Sequence, residues 1–316
     1  MPSLFDAPDY PFEFTSARRR GGRHRPVPEA EDLHQVRRGV YLPVETWTSM
    51  NPDERYRAFV HATLACSPTA PVLSHFSAAA LLRLPIVGSW PETVHTIVDE
   101  ASGGRSSGLY SRHRSAHPPA TVIIGGAICT ALERTVVDVA RTGARASALA
   151  MADHALSRRM TSVRALLDED AALGSGRGSQ QSRALLSMAS PLAANGGESF
   201  VRLLLQDAGF VPPRLQHRYD DDAGLVGYVD FAWPDVGVVL EFDGRRKYVD
   251  EEFTAGRSPE EVVWREKRRE DRLRALGLRV LRVTWEDLRG ATPAVVGLVS
   301  AAGVTRRPQT GIEGAR

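Results

Sequence analysis

A chain of 316 residues, 42% hydrophobic and 25% charged, has globular composition and is too long for one ordinary core, so two folded domains are expected. No apolar run approaches the ~20 residues that cross a bilayer, and the N-terminus lacks the basic-then-apolar order of a secretion signal. A cytoplasmic protein without a membrane partner is therefore expected. With 40 Lys and Arg against 38 Asp and Glu, the net charge is only +2, so a nucleic-acid footprint must lie in the placement of charge. Cys66 and Cys129 lack the paired spacing of a zinc site and read as thiols in a reducing compartment.

In chain order, residues 1–50 form a basic segment with an arginine-rich run over 18–25. Arg37 to Leu42 reads as a short strand after a turn. Residues 51–170 read as mostly helical. Pro52 opens a helix to about residue 65 with Asn51 as N-cap, and Ser74 caps a helix over 75–84. Residues 94–98 alternate like a strand, and helices are expected over 128–140 and 146–158. His75, His95, His113, His117 and His154 show no metal-ligand spacing and read as scattered surface or capping residues. The Gly/Ser-rich stretch within 171–196 has linker composition, with part of 183–189 still reading as helical. A second domain is expected over 197–295 and a disordered tail over 296–316.

The second domain carries the chemistry. A helix over 198–208 has an apolar face of Phe200, Val201, Leu204 and Leu205. Strands over 215–219 and 225–232 flank the acidic turn Asp220-Asp221-Asp222-Ala223-Gly224 and form a hairpin. A third strand over 236–243 is nearly continuous in apolar character, as a strand covered on both faces reads. Glu241 ends that apolar run, Asp243 follows on the same face, and Asp230 lies on the neighbouring strand. A carboxylate at the end of a buried strand is costly unless it is paired, protonated or metal-bound. Two carboxylates aimed at one point repel, and Mg²⁺ (or Mn²⁺) removes that cost. The plain alternative is a set of rim carboxylates ion-paired with arginines. Ser258, Pro259 and Glu261 open a helix to about 276, followed by a strand over 279–285. The helix's charged middle, 265–272, suits either a solvated face of i,i+4 ion pairs or phosphate contact.

Val229-Asp230-Phe231-Ala232-Trp233-Pro234 followed by Leu240-Glu241-Phe242-Asp243-Gly244 resembles the core of very-short-patch-repair-like endonuclease domains of the PD-(D/E)XK superfamily, over about residues 197–290. The resemblance implies an α/β fold whose C-terminal part is a restriction-endonuclease-like αβββαβ core, with Asp230 and Glu241 as metal ligands. It also places a helix glutamate, here Glu198, near the site. The family has a lysine two residues after the glutamate, where this chain has Asp243. Lys247 would then stand in across the Gly244 turn, or Asp243 is itself a metal ligand and Lys247 contacts phosphate. Arg245, Arg246, Lys267 and Arg268 are the residues expected against nucleic acid.

In the first half, Arg37-Arg38-Gly39-Val40-Tyr41 resembles the wing of the winged-helix portion of AbiEi-type antitoxins of bacterial abortive-infection systems. The stretches Leu73 to Ala80 and Arg134 to Ala140 resemble segments of the domain that follows it, over about residues 30–165. That implies a mostly helical α+β domain behind a degenerate winged helix, binding nucleic acid, a protein partner or a second copy. Together the halves lead to the expectation of a metal-dependent endonuclease acting on DNA in bacterial defence or repair. The alternative is an antitoxin-like regulator whose nuclease fold only binds nucleic acid.

Overall fold

A computed structural model describes residues 15–16, 32–99, 108–116, 118–193, 195–244, 259–290 and 292–307. The chain is mixed α/β with several sheets and divides between Ala189 and Ser190 into two compact units.

The first unit opens with β1 (Thr15–Ser16), β2 (Leu33–Arg37) and β3 (Val40–Pro43), an antiparallel sheet of order β1-β3-β2. Gly39, at φ 83°, supplies the left-handed residue that turns β2 into β3. α1 (Val44–Ser49) and α2 (Pro52–Ala65) follow. Asn51 caps α2 as its sequence suggests: its side chain accepts the Glu54 N–H while the Glu54 carboxylate accepts the Asn51 N–H.

Next come β4 (Val72–Leu73), α3 (His75–Leu81), β5 (Val94–Asp99), β6 (Tyr110–Ser115), β7 (Thr121–Ile124) and β8 (Ala127–Thr130). The five strands form one mixed sheet of order β6-β5-β4-β8-β7, where the sequence reading allowed a single strand. β6, Tyr-Ser-Arg-His-Arg-Ser, has too little apolar character to register as a strand. The helix expected from 128 starts only at Leu132, because Ile128, Cys129 and Thr130 are held in β8. Ser74 occupies the N-cap position of α3 but makes no capping bond; its hydroxyl meets the His75 ring instead, at 2.9 Å from Nδ1.

α4 (Leu132–Arg141), α5 (Arg145–Ser157), α6 (Val163–Ala172) and α7 (Ser179–Ser187) complete the unit. α4 is buried along nearly its whole length, including Arg134 and Asp138. At its end Arg141 donates to the Asp170 carboxylate (2.8 Å), to the Asp170 carbonyl (2.5 Å) and to the Gly174 carbonyl (3.0 Å). Gly178 lies so close that a Cβ there would sit 2.2 Å from the Arg141 carbonyl oxygen. The 171–196 stretch thus carries a packed helix, as expected for part of 183–189 but starting earlier, at Ser179, with Ser182, Leu185 and Leu186 buried. Its glycines serve close approach as well as turning, which linker composition alone does not reveal.

The second unit runs α8 (Gly196–Asp207), β9 (Arg214–Asp221), β10 (Gly224–Trp233), β11 (Val238–Asp243), α9 (Pro259–Ala275), β12 (Arg279–Thr284), α10 (Trp285–Gly290) and α11 (Thr292–Ala301). Its sheet has the order β12-β11-β10-β9, antiparallel except for the parallel β11–β12 pair. One face puts Phe231, Trp233, Leu240 and Phe242 against Val201, Leu204 and Leu205 of α8 and Val295 and Val299 of α11. On the other face, Ala232 and Val239 pack with Leu273 of α9. Asn195 caps α8, so the helix begins two residues before the expected Glu198. A Cβ on Gly197 would fall 2.1 Å from the Phe242 ring, so this first turn requires glycine to lie against β11.

The expectation of a disordered tail from 296 does not hold through Arg307. Val299, Ala302 and Val304 are buried in the core, which offsets the ordering entropy. The Val211 N–H donates to the Thr305 carbonyl, and the Arg307 N–H to the Gly209 carbonyl. Ser258, the expected cap of α9, lies outside the described residues.

Candidate functional site

The four strands of the second unit each contribute one side chain to a single cross-strand row. Phe231 pairs with Leu240, so the next step of the antiparallel register sets Asp230 opposite Glu241. The pairs Val229–His217 and Phe231–Leu215 flank an Asp230–Gln216 pair, and Glu241 pairs with Arg282 in β12. Side chains alternate along a strand, so Asp230 and Glu241 share the face of Ala232 and Val239, beneath α9. The row is therefore Gln216, Asp230, Glu241, Arg282.

Asp230 ends the β10–β11 ladder with its own carboxylate: one oxygen accepts the Phe242 N–H at 2.9 Å and the other the Gln216 side-chain amide at 3.1 Å. Gln216 holds φ at 46°, uncommon for a residue with a Cβ, next to these contacts. Glu241 is ion-paired with Arg269 of α9 at 2.6 Å. Arg269 also donates to the Tyr228 carbonyl at 2.5 Å. Gly227 leaves the space for it, since a Cβ there would sit 2.8 Å from the Arg269 Nε. Arg282 donates to Glu270 at 2.7 Å, and Arg274 pairs with the other oxygen of Glu270. Burial works to lower the Arg282 pKa, yet Glu270, Glu266, Glu241 and Asp243 together hold it above its ordinary value.

Of the residues singled out in the sequence, Asp230 and Glu241 come to neighbouring positions on one face. Asp243 ends β11 on that face, in register with Thr284. Asp230, Glu241 and Asp243 are not gathered within 4.8 Å as a set of three among the described residues: Glu241 is drawn to Arg269 and Asp230 to a backbone N–H. Glu198 is 4% exposed; its side chain accepts the Asn195 amide at 2.7 Å and its backbone N–H is capped by the same asparagine. Lys267 and Arg268 are exposed, with Arg268 stacked 4.7 Å over the Trp264 ring, whereas Arg269 of the same helix reaches Glu241. Arg245, Arg246 and Lys247 lie outside the described residues. The sequence reading missed Gln216, Arg269 and Arg282. The signal for the first and last was the strand register, and for Arg269 its spacing four residues before the apolar Leu273.

A second polar cluster, in the first unit, was not foreseen. His75, His95 and His113, read as scattered, have ring nitrogens within 4.8 Å of one another. β5 and β6 are parallel, with His95 opposite Ser111 and Ile97 opposite His113, so His95 and His113 lie two positions apart on one face. His95 Nδ1 and His113 Nε2 are 2.9 Å apart, and the His75 and His113 rings stack at 3.5 Å between centroids. His75, the first residue of α3, holds φ at 48°. Burial lowers all three imidazole pKa values, His95 to about 4, with the neighbouring rings adding to the effect on His75 and His95. Asp138 of α4 stands beside them. One of its oxygens accepts from Arg134 at 2.8 Å; the other is 3.9 Å from His75 Nδ1 and has no hydrogen-bond partner among the described residues.

No protein-family model matches the chain. Over 167 residues it is 35% identical to the uncharacterized protein MT2308 of Mycobacterium tuberculosis strain CDC 1551 / Oshkosh, and equally to the uncharacterized protein Rv2248 of strain ATCC 25618 / H37Rv. Each match takes in 52% of this chain and 58% of the relative, so the chain spans less than two thirds of the length of the curated relatives it matches.

Proposed function

We propose that the second unit is a restriction-endonuclease-like, metal-dependent phosphodiesterase acting on nucleic acid, with DNA the expected substrate. The observation that carries this reading is the Asp230–Glu241 pair, set opposite each other at the end of a two-strand ladder on the face beneath α9. The element order α8-β9-β10-β11-α9-β12 supports it, since it runs α-β-β-β-α-β. Asp230 and Glu241 would hold Mg²⁺ or Mn²⁺, which supplies phosphate polarisation and a more acidic water. Asp230 is already oriented by the Phe242 N–H and Gln216. Arg269, released from Glu241, carries a guanidinium fork suited to a phosphate oxygen pair. The first unit is read as the module that binds nucleic acid or a partner.

The test is cleavage of single- and double-stranded DNA and RNA by the full chain with Mg²⁺ or Mn²⁺, beside Asp230→Ala and Glu241→Ala. Metal-dependent cutting that both substitutions abolish is expected; equal behaviour of all three proteins would refute the nuclease reading.

One observation favours a second reading, a nucleic-acid-binding regulator without cleavage: Arg269 already sits against Glu241, where a cation would be wanted. That reading expects salt-sensitive binding that is indifferent to divalent metal and weakened by Arg269→Gln. The nuclease reading expects Arg269→Gln to leave metal binding intact while reducing turnover.

A further inference from the structure

We infer that the first unit holds a zinc site built from His75, His95 and His113, with Asp138 positioning His75. This inference concerns the first unit alone and stands whether or not the second unit cuts nucleic acid. Three imidazoles with ring nitrogens within 4.8 Å form a donor set suited to zinc and its first-row neighbours, not to magnesium. The donors come from three elements: the start of α3, the second residue of β5 and the middle of β6. The parallel β5–β6 pairing fixes two of them on one face.

The outer contacts select the coordinating atom of His75. Its Nδ1 is 2.9 Å from the Ser74 hydroxyl and 3.9 Å from the Asp138 carboxylate, which leaves Nε2 for an ion. A histidine ligand whose second nitrogen faces a carboxylate is the usual outer arrangement of such sites. Asp138, 7% exposed, keeps one oxygen for Arg134 and turns the other, without a hydrogen-bond partner among the described residues, toward His75. A buried acceptor left in this way is costly unless something completes its surroundings. Once an ion fixes His75 Nε2, Nδ1 must carry the proton, and Asp138 is the carboxylate facing it.

A Ser-His-Asp hydrolytic arrangement does not fit the same residues. Ser74 and Asp138 both address Nδ1, whereas a triad needs the hydroxyl and the carboxylate on different ring nitrogens. Zinc requires the stacked His75 and His113 rings, 3.5 Å apart between centroids, to tilt so that their nitrogen lone pairs converge, and the His95–His113 pair to open slightly. Tetrahedral ligands at about 2.0–2.1 Å stand roughly 3.3 Å apart, against 2.9 Å between His95 Nδ1 and His113 Nε2. Three protein ligands leave the fourth position for water or a substrate atom.

The experiment uses the full chain carrying Asp230→Asn, so that the carboxylates of the second unit do not compete for the ion. After chelator treatment it is dialysed against micromolar ZnCl₂ and its metal content measured. One zinc per chain is expected, with an X-ray absorption shell of imidazole nitrogens at about 2.0–2.1 Å. His95→Gln and His113→Gln should each lose the zinc while keeping the parent's circular dichroism. Asp138→Asn should weaken binding about 10–100-fold. A parent that retains no zinc, a shell of oxygens only, or folded His95→Gln and His113→Gln proteins that bind like the parent would each overturn the site. The absorption spectrum needs no histidine variant, so it decides even where a substitution impairs folding. Unchanged affinity in Asp138→Asn would overturn the role given to that residue.

Discussion

The two units assemble their polar clusters in opposite ways. In the second, the carboxylates already have donors: Glu241 meets the Arg269 guanidinium and Asp230 accepts two neutral N–H groups. In the first, three neutral-leaning imidazoles pack on one another, with one carboxylate oxygen 3.9 Å away. A metal entering the carboxylate row must displace a guanidinium, whereas one entering the histidine cluster meets uncharged nitrogens. The first situation suits a hard, exchangeable ion brought in with substrate phosphate; the second suits a retained, softer one.

The widest separation is expected in activity. Glu241→Gln should reduce Mg²⁺-dependent cleavage by about three orders of magnitude, as removal of a principal charge-stabilising group does. His95→Gln should leave cleavage with added Mg²⁺ within a few-fold of the parent. Cleavage rates on a single labelled duplex check both; a reversed order of effects would collapse the distinction between the two clusters.

Stability gives the next contrast. Arg141 and Asp170 form a buried ion pair, with the Asp170 side chain fully covered and Arg141 donating to two carbonyls besides. Removing one partner leaves the other charge buried, so Arg141→Ala should cost about 3–5 kcal/mol. Urea denaturation followed by circular dichroism reads it, and the loss should fall on the transition of the first unit alone.

What the sequence disclosed and what it hid follow the same division. Asp230 and Glu241 are separated by one tight connection, so a hairpin register that local patterning reveals brings them opposite each other. Asn51 with Glu54 is likewise local, and its cap was readable. His75, His95 and His113 meet only because β6 pairs in parallel with β5, a register no local pattern encodes, on a strand with almost no apolar residue. The available hint was Arg134 and Asp138, a charged i,i+4 pair among the valines of α4, which had to face something polar. Arg269 escaped because Lys267, Arg268 and Arg269 look alike in a charged run; only packing of Leu273 decides which of them turns inward.

Acid should act on the first unit in part through His61 of α2. Burial, helped by Arg57, lowers its pKa from 6.5 to about 4. The unfolded chain therefore binds more protons between those values. The stabilisation is complete above pH 6.5 and is lost as pH falls toward 4, on the order of 3 kcal/mol in all. Thermal melts from pH 7 to pH 4 should show the decline, and His61→Gln should make it shallower by its share, the buried imidazoles of His75, His95 and His113 supplying the rest. An equally steep decline in the variant would assign acid sensitivity to other groups. In the second unit, Gly197→Ala tests how closely α8 is pressed on the sheet. The added Cβ overlaps the buried Phe242 ring, and overpacking of this kind costs about 1–3 kcal/mol. An unchanged melting temperature would show that the ring can move aside.

The smallest effect is expected at Arg164 and Asp168, an exposed pair to set beside the buried one. Like Arg141 and Asp170, they are an arginine and an aspartate joined through Nε, at 2.7 Å rather than 2.8 Å, and both aspartates lie on α6. The side chains of Arg164 and Asp168 are 84% and 57% exposed, against 14% and 0% for the buried pair. Water and salt screen the exposed charges, and either one left alone is simply resolvated. Arg164→Ala should therefore leave the melting temperature within error of the parent, and added salt should erase any residual difference. A loss comparable to that of Arg141→Ala would mean that the ion pair itself, rather than burial and the carbonyl contacts of Arg141, sets what the charge contributes in this unit.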